Sequence, residues 1–160
     1  MKNTSKTVAY CGLLIAAGFV LNWLEFMIPM PLPAFKLGLA NVVTLFALYR
    51  MGALKALAVL IGRCGLSALL FGSPVSLAFS LAGGLLALLV MLCLKNRKSL
   101  SVYGVSLAGA TAHNVGQCAA AVVIMRTPAV FSYLLFLIPA GAAAGLLVAL
   151  IYRFTERIKT

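Results

Sequence analysis

Glu25, Arg63 and the run His113, Asn114, Gly116 and Gln117 interrupt stretches of chain that are otherwise apolar. In hydrocarbon, an ionisable or amide side chain costs several kcal/mol unless it meets a partner or a wet cavity, so each is a candidate for recognition chemistry. His113 and Gln117 are four residues apart and Asn114 and Gln117 three apart, so one sector of a helix presents all three. Ser106 and Ala110 continue that stripe. Asn22 with Glu25, and Asn41 with Thr44, each share one helical face and suit ligand hydroxyls, amides or carboxylates.

Each of these residues also has a plainer reading. Asn114 or Gln117 alone serves equally well as interhelical glue. The two pairs could pack on loop backbone, and Glu25 could neutralise Arg63. A guanidinium keeps donors to spare after meeting one carboxylate, however, and can also hold an anionic ligand group. A lone His113 is more often a hydrogen-bonded core histidine than a metal ligand. The candidate substrate-binding set is therefore Asn22, Glu25, Asn41, Thr44, Arg63, His113, Asn114 and Gln117, with no metal and no cofactor.

The elements that must position this set are membrane helices. The 160 residues are 64% hydrophobic and 9% charged, and the mean hydropathy of +1.12 lies far outside the range of a soluble globule. Six apolar runs, about 8–28, 37–49, 53–71, 75–94, 102–125 and 130–152, predict a single all-α, six-helix membrane domain. They are too long and too continuous for the alternating strands of a membrane barrel. The first run follows Lys2 and Lys6 as a secretory signal would, but five more runs follow it and no small-residue cleavage site closes it, so it reads as a retained helix.

The second run is short. Its 13 residues reach only about 20 Å, against a core of about 30 Å. Either Lys36 and Arg50 snorkel, or the connection before it sits below the membrane surface and roofs a cavity. That connection, Pro29 to Lys36, carries Pro29, Pro31 and Pro33, which favour a stiff, extended segment. Counting residues from the helix ends places Asn22, Glu25, Asn41, Thr44 and Gln117 in the same half of the bundle, beneath this connection, with Arg63 and His113 nearer the midplane.

Cations are distributed unequally. With six crossings, Lys2, Lys6, Arg50, Lys55, Lys95, Arg97, Lys98, Arg153, Arg157 and Lys159 fall on one face and only Lys36 and Arg126 on the other, so both termini are expected in the cytoplasm of a bacterial-type inner membrane. The net charge of +11 sits in short clusters at helix ends rather than in a stripe with interleaved aromatics. It therefore points to lipid headgroups and not to nucleic acid.

Other chemistry is missing. Cys11, Cys64, Cys93 and Cys118 lie in four different runs with no metal-ligand spacing. The chain has no Asp, which excludes an aspartate-rich diphosphate site, and no G-x-x-x-x-G-K-[ST]. Glu25 is the only embedded acid available to a Ser-His-acid set. An autonomous enzyme is not expected. Small residues at helix-packing spacing, Gly12 with Ala16, Ala78 with Ala82 and Gly141 with Gly145, predict close packing within the bundle.

LGLANVVTL (Leu37 to Leu45), SLAGGL (Ser80 to Leu85) and above all GATAHNVGQ (Gly109 to Gln117) resemble the Gx transporter family, also labelled heptaprenyl diphosphate synthase component I. The resemblance runs from about Val8 to about Tyr152. That family is similar to the substrate-binding S components of energy-coupling factor transporters. The resemblance implies a six-helix bundle with an outward pocket capped by the first connection. It also implies a vitamin-like or precursor substrate, a transmembrane coupling subunit and cytoplasmic ATPases. The synthase label implies an alternative: a non-catalytic accessory subunit of a polyprenyl diphosphate synthase or of quinone metabolism.

Overall fold

The computed structural model describes residues 4–28 and 36–157. Its described elements are six α-helices, α1 Thr4–Phe26, α2 Asn41–Met51, α3 Ala53–Leu70, α4 Pro74–Leu94, α5 Val102–Met125 and α6 Leu134–Arg157, with a 3-10 helix at Pro128–Tyr133 before α6. The proline-rich stretch 29–35, where the sequence predicts a stiff segment, lies outside the described residues, as do Lys2 and Lys159.

Local chemistry sets the helix ends. Ser73 accepts a bond from the Ser76 N–H at 3.1 Å, and Pro74 occupies the first turn of α4, where its missing N–H costs nothing. Ser101 caps α5 in the same way, through the Gly104 N–H at 3.5 Å, and α5 closes on Arg126 in the left-handed region at φ 51°. Between α2 and α3, Gly52 turns the chain at φ 90°, a conformation that a side chain resists. Leu37 to Ala40 are apolar but stay outside α2, because Gly38 takes φ 88° and breaks the helical path there.

Five of these helices are long and apolar enough to cross a membrane; α2 is not. It lies in the middle, touching α1, α3, α4 and α6, while α4 packs on α5 and α5 on α6. The core is built from Leu45, Leu48, Val59, Leu60, Leu88, Met91 and Val105. Outward positions are apolar as well: Leu69 and Leu135 expose 85% and 87% of their surface, which water would penalise and hydrocarbon does not.

Glycines let the helices meet at backbone distance. A Cβ on Gly116 would sit 2.7 Å from the Ala82 carbonyl oxygen of α4, and one on Gly83 would sit 2.7 Å from the His113 carbonyl oxygen. Gly145 meets Ala110 and Ser106 of α5 in the same manner, so the Gly141 and Gly145 pair packs α6 on α5. Gly12 has open space around it, and Gly12 and Ala16 lie on an exposed face of α1. The four cysteines are unpaired, with Cys64 and Cys118 buried as small apolar fillers.

One end of the bundle gathers the cations. Lys95 Nζ donates to the Leu48 carbonyl at 3.4 Å, Arg153 lies 5.5 Å over the Tyr103 ring, and Arg50 lies 5.9 Å over Phe46. Tyr152 packs on both Phe46 and Tyr49, drawing the ends of α2 and α6 together.

Candidate functional site

Arg63 on α3 is 2% exposed and is the centre of a closed polar node. Its Nη2 donates to Asn41 Oδ1 at 2.9 Å, its Nε to Thr44 Oγ1 at 3.3 Å and its Nη1 to Asn22 Oδ1 at 3.4 Å. Asn22 completes the node by donating to Ser67 Oγ at 2.9 Å. The node thus ties α1, α2 and α3 together, and Gly18 makes room for it, since a Cβ there would lie 2.9 Å from Arg63 Cδ. Among the described residues Arg63 bonds neutral oxygens rather than closing an ion pair with Glu25, because the three helices bring those oxygens around it first.

Glu25 instead faces the segment that enters α2. Its Oε1 accepts the Leu39 N–H at 2.5 Å, while its Oε2 is buried without a hydrogen-bond partner among the described residues. Gln117 on α5 grips the same segment twice: its Nε2 donates to the Lys36 carbonyl at 2.8 Å, and its Oε1 accepts the Lys36 N–H at 3.0 Å. Gly38 lies between these anchors, where a Cβ would be 3.0 Å from Asn41 Nδ2 and 3.2 Å from His113 Cδ2. The backbone of Lys36 to Leu39 therefore rests directly on side chains from α1 and α5.

Lys36 is itself only 7% exposed, so it does not snorkel; the end of the connection sits inside the bundle. Burial pushes its pKa below the ordinary 10.5, and the nearby Glu25 carboxylate opposes that shift. Near this segment several polar atoms have no hydrogen-bond partner among the described residues: Glu25 Oε2, Asn41 Nδ2 and both ring nitrogens of His113. Buried polar groups are ordinarily paired, so this cluster departs from ordinary packing.

The remaining predicted residue serves elsewhere. Asn114 donates to the Leu137 carbonyl of α6 at 2.6 Å. Ser106, on the same stripe, donates to the Gly145 carbonyl at 2.7 Å. Asn114 and Ser106 thus join α5 to α6, while His113 and Gln117 face the connection. Ser67, Lys36 and Gly83 belong to these surroundings although none is in the candidate set. A Cβ on Gly83 would fall 2.9 Å from His113 Nδ1, and the Gly-Gly pair at 83 and 84 was the available signal.

Comparison with known proteins decides the family. The profile described as heptaprenyl diphosphate synthase component I matches residues 14–155. The chain belongs to that family. The family's fold has a solved counterpart, described as "Structure and mechanism of the S component of a bacterial ECF transporter", which superposes with a TM-score of 0.74 at 19% identity, covering 97% of this chain and 95% of the other. This member of the family therefore has the S-component fold. No curated protein matches its sequence.

Proposed function

We propose that this protein is the membrane-embedded, substrate-binding subunit of a transporter, taking up a small polar or anionic metabolite beneath the connection between α1 and α2. The observation that carries the reading is the seat of Lys36 to Leu39, held by Glu25 and Gln117 over unpartnered atoms of Glu25, Asn41 and His113. When this segment lifts, the carboxylate, the Gln117 amide and the His113 ring all become available to a guest. Arg63 then positions Asn41 and Asn22 and supplies positive potential. The shared fold supports the same reading.

No nucleotide-binding motif is present, so the driving energy comes from partners or a gradient. By analogy with the S-component fold, those partners are a transmembrane coupling subunit with cytoplasmic ATPases, and this chain is not itself catalytic. Native mass spectrometry of the detergent-extracted protein tests the binding. A retained small molecule, lost in Glu25→Gln and His113→Ala variants that still fold, is expected; consistently empty protein sinks the idea. The family description supplies the second reading, an accessory subunit of a polyprenyl diphosphate synthase. Copurification with a synthase, and no uptake by reconstituted vesicles, would favour it.

A further inference from the structure

An apolar groove of about 670 Å³ runs between α4 and α5, away from the polar site. Its walls include Leu86 and Val90 of α4 and Gly104, Leu107, Ala108 and Val115 of α5. Gly104, Ala108, Thr111 and Ala112 of α5 leave this space among the larger Leu86 and Val90 of α4 and Leu107 and Val115 of α5. Thr111 also lines it, but its hydroxyl donates to the Leu107 carbonyl of its own helix at 3.1 Å, so no polar demand is made on an occupant. From Gly104 to Val115 the groove covers about 17 Å of helix, close to the thickness of one leaflet's hydrocarbon, roughly 15 Å. A second apolar groove, of about 440 Å³, continues past Leu86 towards Val123 and Ile124.

One end of the first groove is charged. Leu100 closes it, lying over Gly104, where a Cβ would be 3.0 Å from Leu100 Cδ2. The Leu100 N–H bonds the Arg97 carbonyl at 3.0 Å, and this turn sets Arg97 and Lys98, both exposed, within one turn of the Leu100 that closes the groove. Hydrocarbon walls one leaflet deep, ending in two exposed cations, match the two parts of an anionic phospholipid. We infer that the α4–α5 groove seats one acyl chain of an anionic phospholipid whose headgroup phosphate is held by Arg97 and Lys98.

The test uses the full chain in nanodiscs of dioleoylphosphatidylcholine containing a minor fraction of phosphatidylglycerol with a photoreactive acyl chain. Adducts are mapped by mass spectrometry, with the photoreactive phosphatidylcholine as comparison. Adducts should concentrate on residues 104–115 and on Leu86 and Val90, with phosphatidylglycerol favoured roughly five- to thirty-fold for two cations. Arg97→Gln with Lys98→Gln should erase that preference and leave the chain in the groove. Ala108→Phe should cut groove adducts at least about five-fold by filling it; Thr111→Leu replaces it if circular dichroism shows Ala108→Phe misfolded. Even labelling of all outward faces, α1 included, means ordinary surrounding lipid and overturns the inference. So does equal capture of the two lipids by the unmodified chain.

Discussion

A single guanidinium holds three helices, and the way it does so separates two kinds of polar residue in this protein. Arg63 bonds oxygens of Asn22, Asn41 and Thr44, whereas Glu25, His113 and Gln117 hold backbone or nothing. Arg63→Met should therefore act on folding, removing three bonds to a charged donor for a loss of about 1–3 kcal/mol given the modest worth of such bonds in bilayers. Arg63→Lys should recover little, since one ammonium cannot span three oxygens on separate helices. Thermal unfolding in detergent checks both, and a Glu25→Gln variant should melt within a few tenths of a kcal/mol of the parent. Equal losses in Arg63→Met and Glu25→Gln would contradict this division.

Lys36 makes a second residue-level prediction, in pH. Its ammonium is disfavoured by burial, so the folded chain binds that proton less tightly than the unfolded one. The penalty is fully present below its lowered pKa and fades as pH rises from there towards 10.5. Melting temperatures of the parent and of Lys36→Met should converge as pH climbs through that window, with the variant the more stable at neutral pH. A constant difference across the window would rule the account out.

At the scale of elements, α5 is the organiser: one face of it grips the connection and another grips α6. Gln117→Leu removes two bonds of about 1 kcal/mol each, so hydrogen exchange at the Lys36 and Leu39 amides should speed up by roughly ten-fold or more while exchange in α3 stays unchanged. Gly141→Ala should instead act on the α5–α6 joint. Its Cβ would drive into the Asn114 amide, which then leaves the Leu137 carbonyl, at a cost of about 1–3 kcal/mol. Chemical denaturation should find both variants weaker by comparable amounts, and hydrogen exchange should separate them, the first speeding exchange at Lys36 and Leu39 and the second in α5 and α6.

These elements also show what a sequence discloses. Six apolar segments, and a polar stripe through His113, Asn114 and Gln117, follow from hydropathy and a 3.6-residue period. What the stripe touches does not. The partner of Gln117 is the main chain of Lys36 and that of Glu25 the main chain of Leu39, and peptide groups look alike in every residue type. The late start of α2 was hidden for a similar reason: LGLA reads as helix by composition, and only the backbone angle at Gly38 shows otherwise. Arg63 and Glu25 looked like natural partners because charge is visible in a sequence and crossing geometry is not.

For the whole molecule, the expectation is a subunit rather than a machine. We propose, from the positive-inside rule, that the end where Arg50, Lys95 and Arg153 cluster faces the cytoplasm. Reporter fusions after the last helix should be active inside the cell, and a cysteine at Arg126 should react with an impermeant maleimide from outside. The opposite pattern would invert the bundle and place the connection over the polar set on the wrong side for uptake.

The hold on Lys36 to Leu39 is made through peptide atoms, with Gly38 the one position there whose missing side chain is required. It behaves as a latch with an almost letterless key. Leu37 and Leu39 can drift to other apolar residues without loosening it, whereas any replacement of Gly38 jams it. On the proposed function, editing Gln117 or Glu25 alone would retune how readily the cover opens, and leave the cover's own wording free to follow other pressures.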